Sequence, residues 1–290
     1  MKDKTLHTLA RSNFARNVYE SLRKIPGMGS AIEKLVRSAI PPASRFWIQI
    51  PAGLGKGLWM DVDPRFDVRY MDGGHEPWIQ ELLTRELQPG DCYFDVGAHT
   101  GFFAMIAARV VGPSGCVVAF EADPENAALL KANVERNALP QVGIVRAAVW
   151  SRTGEVNFER GPAESNRMQG HISEGASAQR PGIAVQAVSL DEMVFERGMA
   201  APKLVKIDIE GAEWGALQGA RRLLDKKKPR VLCEVHDPSE VGKIQNYLRE
   251  LGYSAEERKP AHEFYESWRE LYVWAKPALQ GAVVEAGQRH

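Results

Sequence analysis

The sequence predicts an α/β domain in which an open, mostly parallel sheet carries helices on both faces. Short apolar strands at 93–96, 117–120 and 142–147 alternate with helical segments at 102–111 and 124–137. This alternation is typical of β-α-β units, whose right-handed crossovers distribute helices over both faces of a sheet. In addition, the first strand runs directly into a glycine-rich turn, as in ligand-binding sheets of the Rossmann-like class.

The segment before this core is predicted to be a separate lead-in. Residues 1–45 form a basic helical extension, because their helical patterns end at Pro41-Pro42, where proline cannot continue a helix. Residues 46–90 predict a strand pair around the turn Gly53-Leu-Gly-Lys-Gly57, followed by a helix over 76–87 that leads into the core.

The α/β pattern continues to residue 277, so 91–277 is the predicted main domain and 278–290 a flexible tail. A hairpin is predicted around Arg152-Thr-Gly154. The polar loop over 159–182 has no periodicity and is predicted to cover a bound substrate. The remaining predicted elements are strands at 183–188, 204–209, 231–235, 253–258 and 271–275, and helices that start at Ser189 and span 213–224 and 239–251.

The composition is that of a globular protein with a sizeable core. Of the 290 residues, 44% are hydrophobic and 26% are charged, and the formal net charge is zero. Zero net charge predicts that nucleic acid is not a partner. Basic residues are concentrated in 1–45, which leaves open a solvated helical face, a weak contact with a membrane surface, or a homodimer contact. No apolar run is long enough to span a bilayer, and no signal-peptide core is present, so a cytoplasmic location is predicted.

The sequence contains three cysteines, Cys92, Cys116 and Cys233. They are odd in number, far apart in the chain and surrounded by apolar residues. We therefore expect buried, reduced thiols rather than a disulfide framework or a zinc site.

The turn after the first strand is the predicted cofactor site. The segment Asp95-Val-Gly-Ala-His-Thr-Gly101 contains two glycines, which allow the backbone to turn tightly and approach a ligand. The next helix offers N–H groups at its start. Glu121 ends the second strand about 20 residues later, where an acid accepts hydrogen bonds from ribose hydroxyls. The predicted cofactor contacts are Asp95, Gly97, Ala98, His99, Gly101, Glu121, Ala122, Ala148 and Glu76.

Two details of this turn distinguish between nucleotide cofactors. The glycines form Gly-x-x-x-Gly rather than Gly-x-Gly-x-x-Gly, so the pyrophosphate fingerprint of NAD enzymes is missing. Asp95 would repel a pyrophosphate and attract the sulfonium and amino groups of S-adenosylmethionine. The predicted cofactor is therefore S-adenosylmethionine. An NAD-dependent oxidoreductase and a non-catalytic cofactor-binding module are the alternatives.

A second group of polar residues follows two later strands. Alternate residues of a strand point to one face, so Asp208 and Glu210 share one side of their strand end, as do Glu234 and His236. If the two strands are neighbours, the four side chains converge beside the cofactor. If the acceptor is a hydroxyl, as the family resemblance described below implies, methyl transfer requires removal of its proton. The predicted catalytic residues are Asp208, His236 and Glu210.

The same group allows two mechanisms. In the first, His236 or Asp208 acts as a general base. In the second, Asp208, Glu234 and His236 bind a divalent metal such as Mg²⁺, which polarises the acceptor oxygen. Structural roles stay open as well, because Lys206 and Asp208 can form a buried pair. Acids such as Glu210 and Glu76 can simply stabilise a helix N-terminus.

Five motifs extend this pattern over about residues 70–275, and together they resemble the FkbM family of methyltransferases. The resemblance implies a class I methyltransferase fold with a seven-stranded, mostly parallel sheet. It also implies O-methylation of a small-molecule or glycan acceptor, at a hydroxyl of a sugar, glycolipid, polysaccharide or glycosylated or polyketide natural product. His99 departs from the family, where Asn is more frequent. The motifs are Asp95-Val-Gly-Ala-His-Thr-Gly101, Phe120-Glu-Ala-Asp-Pro124, Ser189-Leu-Asp191, Lys206-Ile-Asp-Ile-Glu-Gly-Ala-Glu213 and Glu234-Val-His236.

Overall fold

A computed structural model describes residues 45–161, 170–173, 182–258 and 271–278. The predicted helices of the basic extension, most of the loop over 159–182 and nearly all of the C-terminal tail lie outside these residues. The predicted strand pair is present and antiparallel, and two helices rather than the one predicted lie between it and the core. Its elements are β1 (Phe46–Gln49), β2 (Trp59–Val62), α1 (Val68–Asp72) and α2 (Pro77–Glu86).

The first half of the core closely follows the predicted alternation. Every residue of its first strand is buried, as expected for a strand covered on both faces. The elements are β3 (Cys92–Val96), α3 (Phe102–Val111), β4 (Cys116–Phe120), α4 (Pro124–Arg136) and β5 (Val142–Val145). Asp123 begins α4, because its side chain accepts hydrogen bonds from the N–H groups of Glu125 and Asn126.

A smaller, four-stranded sheet follows, made of β6 (Ala148–Val149), β7 (Gly154–Glu159), β8 (His171–Ser173) and β9 (Ile183–Val188). Its strand order is β6-β9-β7-β8. The predicted hairpin around Arg152-Thr-Gly154 is therefore wrong, because β9 lies between β6 and β7 and pairs with both. The predicted irregular loop over 159–182 is also interrupted by β8, which pairs with β7.

The second half of the core begins with α5 (Leu190–Phe195), where the Ser189 side chain accepts the N–H of Glu192 as predicted. The predicted helix over 213–224 is two helices, because the chain breaks at Gly219 and Ala220. Asp191 stabilises the second of them by accepting the N–H groups of Arg222 and Leu223. The remaining elements are β10 (Leu204–Ile207), α6 (Glu213–Gln218), α7 (Arg221–Lys226), β11 (Arg230–Glu234), a 3₁₀ turn (Pro238–Glu240), α8 (Val241–Glu250), β12 (Tyr253–Arg258) and β13 (Tyr272–Pro277).

The central sheet has seven strands in the order β12-β13-β11-β10-β3-β4-β5. β13 runs antiparallel to its two neighbours, and the remaining pairs are parallel. Helices α2 to α4 pack on one face and α5 to α8 on the other. The predicted α/β fold with a mostly parallel sheet is confirmed. The strand order reverses between β3 and β10, which places a crevice at their carboxyl ends.

The prediction for two of the cysteines is wrong. Cys92 and Cys116 are register partners in the neighbouring strands β3 and β4, and they form a disulfide with a Cα–Cα distance of 4.5 Å. Strand pairing brings them together across a sequence separation of 24 residues, which periodicity cannot reveal. Cys233 is a buried free thiol, as predicted. In the described part of the chain, each helix lacks the length or the apolarity needed to cross a bilayer.

Candidate active site

The carboxyl ends of β3, β4, β10 and β11 meet at one edge of the central sheet. The turn from Gly97 to Gly101 follows β3, Glu121 follows β4, and Asp208 follows β10. Glu234 is the last residue of β11. The sheet therefore brings both predicted groups of polar residues to the same crevice.

The two glycines of the turn are required by contacts within the chain. Gly97 has φ +82°, and a Cβ on it would lie 1.8 Å from the carbonyl oxygen of Asp208. Gly101 has φ +92°, and a Cβ there would lie 2.3 Å from Cδ1 of Leu130. The N–H groups of Gly97 and Ala98 both donate to the carbonyl of Phe120. The turn is thus hydrogen-bonded to the end of β4 and lies close against the backbone that follows β10.

Glu121 is held by the backbone. One carboxylate oxygen accepts the N–H of His99 at 2.8 Å, and the other accepts the N–H of Asp123 at 2.8 Å. Burial raises the pKa of Glu121, although His99 and these two hydrogen bonds oppose the rise. Each carboxylate oxygen can accept about two hydrogen bonds, so one position on each is left for a ligand. These two acceptor positions fit the two hydroxyls of a ribose, which would donate to them.

Asp95 lies inside the sheet and is 1% exposed. Its carboxylate accepts a hydrogen bond from the Tyr93 hydroxyl at 3.3 Å. Burial, together with the charge of Asp208, raises its pKa to about 6 against the opposing effect of Lys206. Because so little of Asp95 is exposed, it can act on a ligand mainly through the electrostatic attraction of its carboxylate.

The remaining residues predicted to contact the cofactor differ in how exposed they are. Ala122 is half-buried beside Glu121, whereas Ala98 is buried within the turn. Ala148 is 5% exposed and begins β6 of the smaller sheet. His99 is half-buried with φ +50°, a left-handed conformation that aims its N–H at Glu121.

Lys206 and Asp208 form an ion pair at the end of β10. The Lys206 ammonium donates to Oδ2 of Asp208 at 2.7 Å, and Lys206 is 2% exposed. Burial lowers the pKa of Lys206, but the charges of Asp208, Asp95 and Glu76 outweigh that effect and raise it overall. For Asp208, burial raises the pKa, and the cations Lys206 and His236 outweigh it and hold the pKa below its usual range.

His236 is at the centre of four carboxyl groups. Its Nδ1 lies 2.7 Å from Oε1 of Glu213, and its Nε2 lies 3.4 Å from Glu210. The same Nε2 lies 3.8 Å from Asp208 and 3.8 Å from Glu234. Burial lowers the pKa of His236, but the bond to Glu213 and the surrounding carboxylates outweigh it and raise the pKa to about 10. The predicted convergence of Asp208, Glu210, Glu234 and His236 is therefore present.

Glu210 is the most exposed of these acids, with 30% of its side chain accessible. Its backbone is left-handed at φ +52°. Such a conformation costs a residue other than glycine on the order of 1 kcal/mol and is concentrated at functional sites. Burial raises its pKa to about 7 against the opposing effect of His236, with smaller contributions from Asp208 and Glu213.

Glu234 and Glu76 share one hydroxyl group. The Tyr272 hydroxyl lies 2.6 Å from Oε1 of Glu76 and 2.9 Å from Oε2 of Glu234. A phenol carries one proton, so it can donate to one carboxylate and must accept from the other carboxyl group. Burial and the charges of Asp208 and Glu76 raise the pKa of Glu234 well above its usual range, which agrees with a protonated carboxyl here.

Glu76 does not act as a plain helix-capping acid. It occupies the N-cap position of α2, but its side chain makes no capping hydrogen bond. Its left-handed backbone at φ +41° instead turns the carboxyl inward to Tyr272. Glu76 therefore lies beside Glu234, and its predicted contact with the cofactor stays a prediction.

Sequence reasoning missed two residues of this cluster. Glu213 is not among the predicted catalytic residues, whereas its carboxylate binds His236 and the N–H of Gly211. The available signal was its position in the same acidic segment, five residues after Asp208. Tyr272 had been treated only as part of a strand. It has no local signal, because its partners are 38 and 196 residues away.

The three predicted metal ligands lie close enough to share an ion. One ligand atom each from Asp208, Glu234 and His236 can be chosen so that all lie within 4.8 Å of one another. The second polar atom of each is held by another residue. Lys206 binds Asp208, Tyr272 binds Glu234, and Glu213 binds His236. Such outer contacts orient metal ligands in known sites.

The fold and the crevice together define a class I S-adenosylmethionine-dependent methyltransferase. The model of the methyltransferase FkbM domain matches residues 95–255, more than half of the chain. The protein belongs to the FkbM methyltransferase family and is an enzyme that methylates with S-adenosylmethionine. The NAD-dependent alternative is thereby excluded.

Three known proteins are similar to this chain. The hexuronic acid methyltransferase AglP of Haloferax volcanii is 30% identical over 179 residues, which cover 61% of this chain and 70% of that protein. The 31-O-demethyl-FK506 methyltransferase FkbM of Streptomyces tacrolimicus is 31% identical over 195 residues, covering 58% and 75%. A crystal structure of methyltransferase FkbM from Methylobacillus flagellatus KT is 17% identical with a TM-score of 0.46, and covers 71% of this chain and 52% of that one.

Proposed function

We propose that the protein transfers a methyl group from S-adenosylmethionine to a hydroxyl of a sugar or of a glycosylated or polyketide natural product. The observation that carries this proposal is the group of Asp208, Glu210 and Glu234 around His236, next to the turn that follows β3. A hydroxyl acceptor needs a proton acceptor at this place. The relatives named for hexuronic acid and for an O-demethyl polyketide support an oxygen acceptor.

The cofactor would be held by residues of β3 and β4. Glu121 accepts hydrogen bonds from the ribose hydroxyls, and Ala122 lies beside the adenine. Gly97, Ala98, His99 and Gly101 shape the turn, and Asp95 contributes negative charge from behind it. S-adenosylmethionine supplies a methyl group on a positively charged sulfur, which makes that carbon open to attack.

The acceptor's proton would pass to Glu210. Asp208 is a weak base because Lys206 holds its carboxylate, and His236 with a pKa of about 10 already carries a proton at neutral pH. Glu210 reaches into the crevice and is in contact with Nε2 of His236. As the acceptor oxygen bonds to the methyl carbon, the carbon–sulfur bond breaks and the hydroxyl proton moves to the Glu210 carboxylate. His236 and Asp208 do not take the proton, and they contribute through their charges and by orienting the neighbouring groups.

A divalent metal such as Mg²⁺ is a second candidate for activating the hydroxyl. Asp208, Glu234 and His236 would hold it, and their ligand atoms are close enough to one another to do so. A bound ion would polarise the acceptor oxygen, and its binding would displace protons from Glu234 and His236. Full activity in excess EDTA would exclude this mechanism and leave the Glu210 mechanism.

The test is methyl transfer from methyl-labelled S-adenosylmethionine to a panel of methyl hexuronides, neutral methyl hexosides and hydroxylated macrolides. We expect an O-methyl product, identified by NMR, with at least one class. Glu210→Gln should lower kcat about 100-fold without changing S-adenosylhomocysteine affinity. Glu196→Gln is the matched control, since Glu196 is the exposed residue after α5 and its side chain pairs only with Arg222 among the described contacts. Methylation confined to nitrogen or carbon would contradict the proposal.

Localisation and assembly remain predictions from the sequence. We propose a cytoplasmic enzyme whose partners are its small-molecule or glycan acceptor and not nucleic acid. The basic extension over 1–45 supports a weak membrane-surface contact or a homodimer, and it lies almost wholly outside the described residues. The segment 159–182 is proposed to cover the acceptor, and its deletion should raise the acceptor KM more than the cofactor Kd.

A further inference from the structure

Arg160 joins the smaller sheet to the start of α4. It directly follows β7, and its guanidinium meets the carboxylate of Asp123 at two points. Nε donates to Oδ2 at 2.6 Å, and Nη2 donates to Oδ1 at 3.0 Å. Asp123 is 1% exposed. A two-point bond between an arginine and a buried carboxylate restricts geometry as well as adding stability.

Asp123 in turn supports Glu121. Its side chain accepts the N–H groups of Glu125 and Asn126, which sets the turn from β4 into α4. Its own backbone N–H donates to Oε1 of Glu121 at 2.8 Å. The orientation of the Glu121 carboxylate therefore depends on the position of Asp123, and Arg160 fixes that position from the other sheet.

Charge gives Arg160 a second effect on Glu121. The carboxylates of Asp123 and Glu121 are neighbours, and the charge of Asp123 contributes to the raised pKa of Glu121. The guanidinium of Arg160 offsets that charge. Without it, an uncompensated carboxylate would remain buried beside Glu121, which is costly. Glu121 would then hold a proton more readily and accept fewer hydrogen bonds from a ligand.

We propose that Arg160 is a positioning residue for the cofactor, because it holds Asp123 and thereby keeps Glu121 oriented and charged for the ribose hydroxyls. This inference rests on the proposed role of Glu121. The contacts from Arg160 through Asp123 to Glu121 also connect the smaller sheet, which carries the start of the segment 159–182, to the proposed cofactor site.

The test is calorimetric titration of S-adenosylhomocysteine into the full chain and its variants. Arg160→Gln should raise Kd about 10-fold, which corresponds to about 1.4 kcal/mol. Arg160→Lys keeps the charge but loses the two-point bond, so its Kd should rise about threefold. Arg222→Gln removes an exposed pair with Glu196 and should leave Kd unchanged. A merely structural role would lower the melting temperature of Arg160→Gln without changing Kd.

An Arg160→Gln Kd within about twofold of wild type would overturn the inference. If that variant does not fold, Arg160→Lys decides, and an unchanged Kd for it has the same consequence. Glu121→Gln separates this outcome from a failure of the proposed site. If Glu121→Gln weakens binding while both Arg160 variants do not, only the Arg160 inference fails. If Glu121→Gln binds like wild type, the assignment of Glu121 fails as well.

Discussion

Glu121 and Glu234 each stand at the carboxyl end of a strand, yet they are held in opposite ways. Glu121 accepts two backbone N–H groups. Glu234 is held by the hydroxyl of Tyr272 and faces the imidazole of His236. Backbone N–H groups do not titrate, so the donors that hold Glu121 stay the same when the pH changes. Ionisable side chains exchange protons, so the second suits chemistry. We therefore call the Glu121 end of the crevice the proposed binding side and the end at Glu234 and His236 the proposed reaction side.

The largest effect is expected at Gly97, because this residue of the binding side lies against the backbone of Asp208 on the reaction side. Gly97→Ala would place a Cβ 1.8 Å from the Asp208 carbonyl oxygen in a left-handed conformation. We expect a loss of about 3 kcal/mol or more in the free energy of unfolding, measured with urea. Gly198→Ala is the control, since Gly198 has φ +72° with no atom within 4 Å. It should cost only about 1 kcal/mol, and equal losses would show that contact with Asp208 is unimportant.

The second prediction separates binding from reaction. His236→Ala removes the centre of the reaction side and should lower kcat about 100-fold with unchanged S-adenosylhomocysteine affinity. Glu121→Gln should instead weaken S-adenosylhomocysteine binding about tenfold and change kcat little at saturating cofactor. Calorimetry and the labelled methyl-transfer assay measure the two quantities. If both variants changed both quantities alike, the crevice would not have two distinct sides.

The third prediction concerns the hydroxyl that joins Glu76 and Glu234. Tyr272→Phe leaves two buried carboxyl groups without their shared partner, so we expect a loss of about 2–3 kcal/mol in the free energy of unfolding. Tyr253→Phe is a matched control, because the Tyr253 hydroxyl donates only to the Leu224 carbonyl in the described contacts, at 3.1 Å. It should lose about 1 kcal/mol. Similar losses in the two variants would contradict the shared hydroxyl.

The smallest effect is expected on the binding side, from the pH dependence of Asp123. Burial raises the pKa of Asp123, but Arg160 and two N–H groups outweigh it and lower the pKa overall. A lowered pKa stabilises the fold above about pH 4, and this contribution is lost as the pH falls through the folded-state pKa. Asp123→Asn keeps a helix-capping side chain but loses the charge that pairs with Arg160, so it should cost about 1 kcal/mol at pH 7, and the difference from wild type should shrink on acidification. A difference independent of pH would exclude a charge effect.

Much of the fold and part of the site follow from sequence patterns. The alternation of strands and helices predicted β3, α3, β4 and α4 nearly to the residue. Strand periodicity also predicted that Asp208, Glu210, Glu234 and His236 converge, because alternate residues of neighbouring parallel strands share a face. The roles of Gly97 and Gly101 were less accessible. A side chain at either position would collide with Asp208 or Leu130, and no spacing rule within the turn reveals those neighbours.

The sequence by itself determined the class of fold, the glycine turn with Glu121 that we propose as the cofactor site, and the acids around His236, since each depends on local periodicity and spacing. Only the tertiary structure decided which partner each acid has. The Cys92–Cys116 disulfide, the pair of Arg160 with Asp123, and the Tyr272 hydroxyl between Glu76 and Glu234 all join distant segments. The physical reason is that strand order is set by the packing of the whole sheet. Hence β13 lies beside β11, and Tyr272 reaches the reaction side.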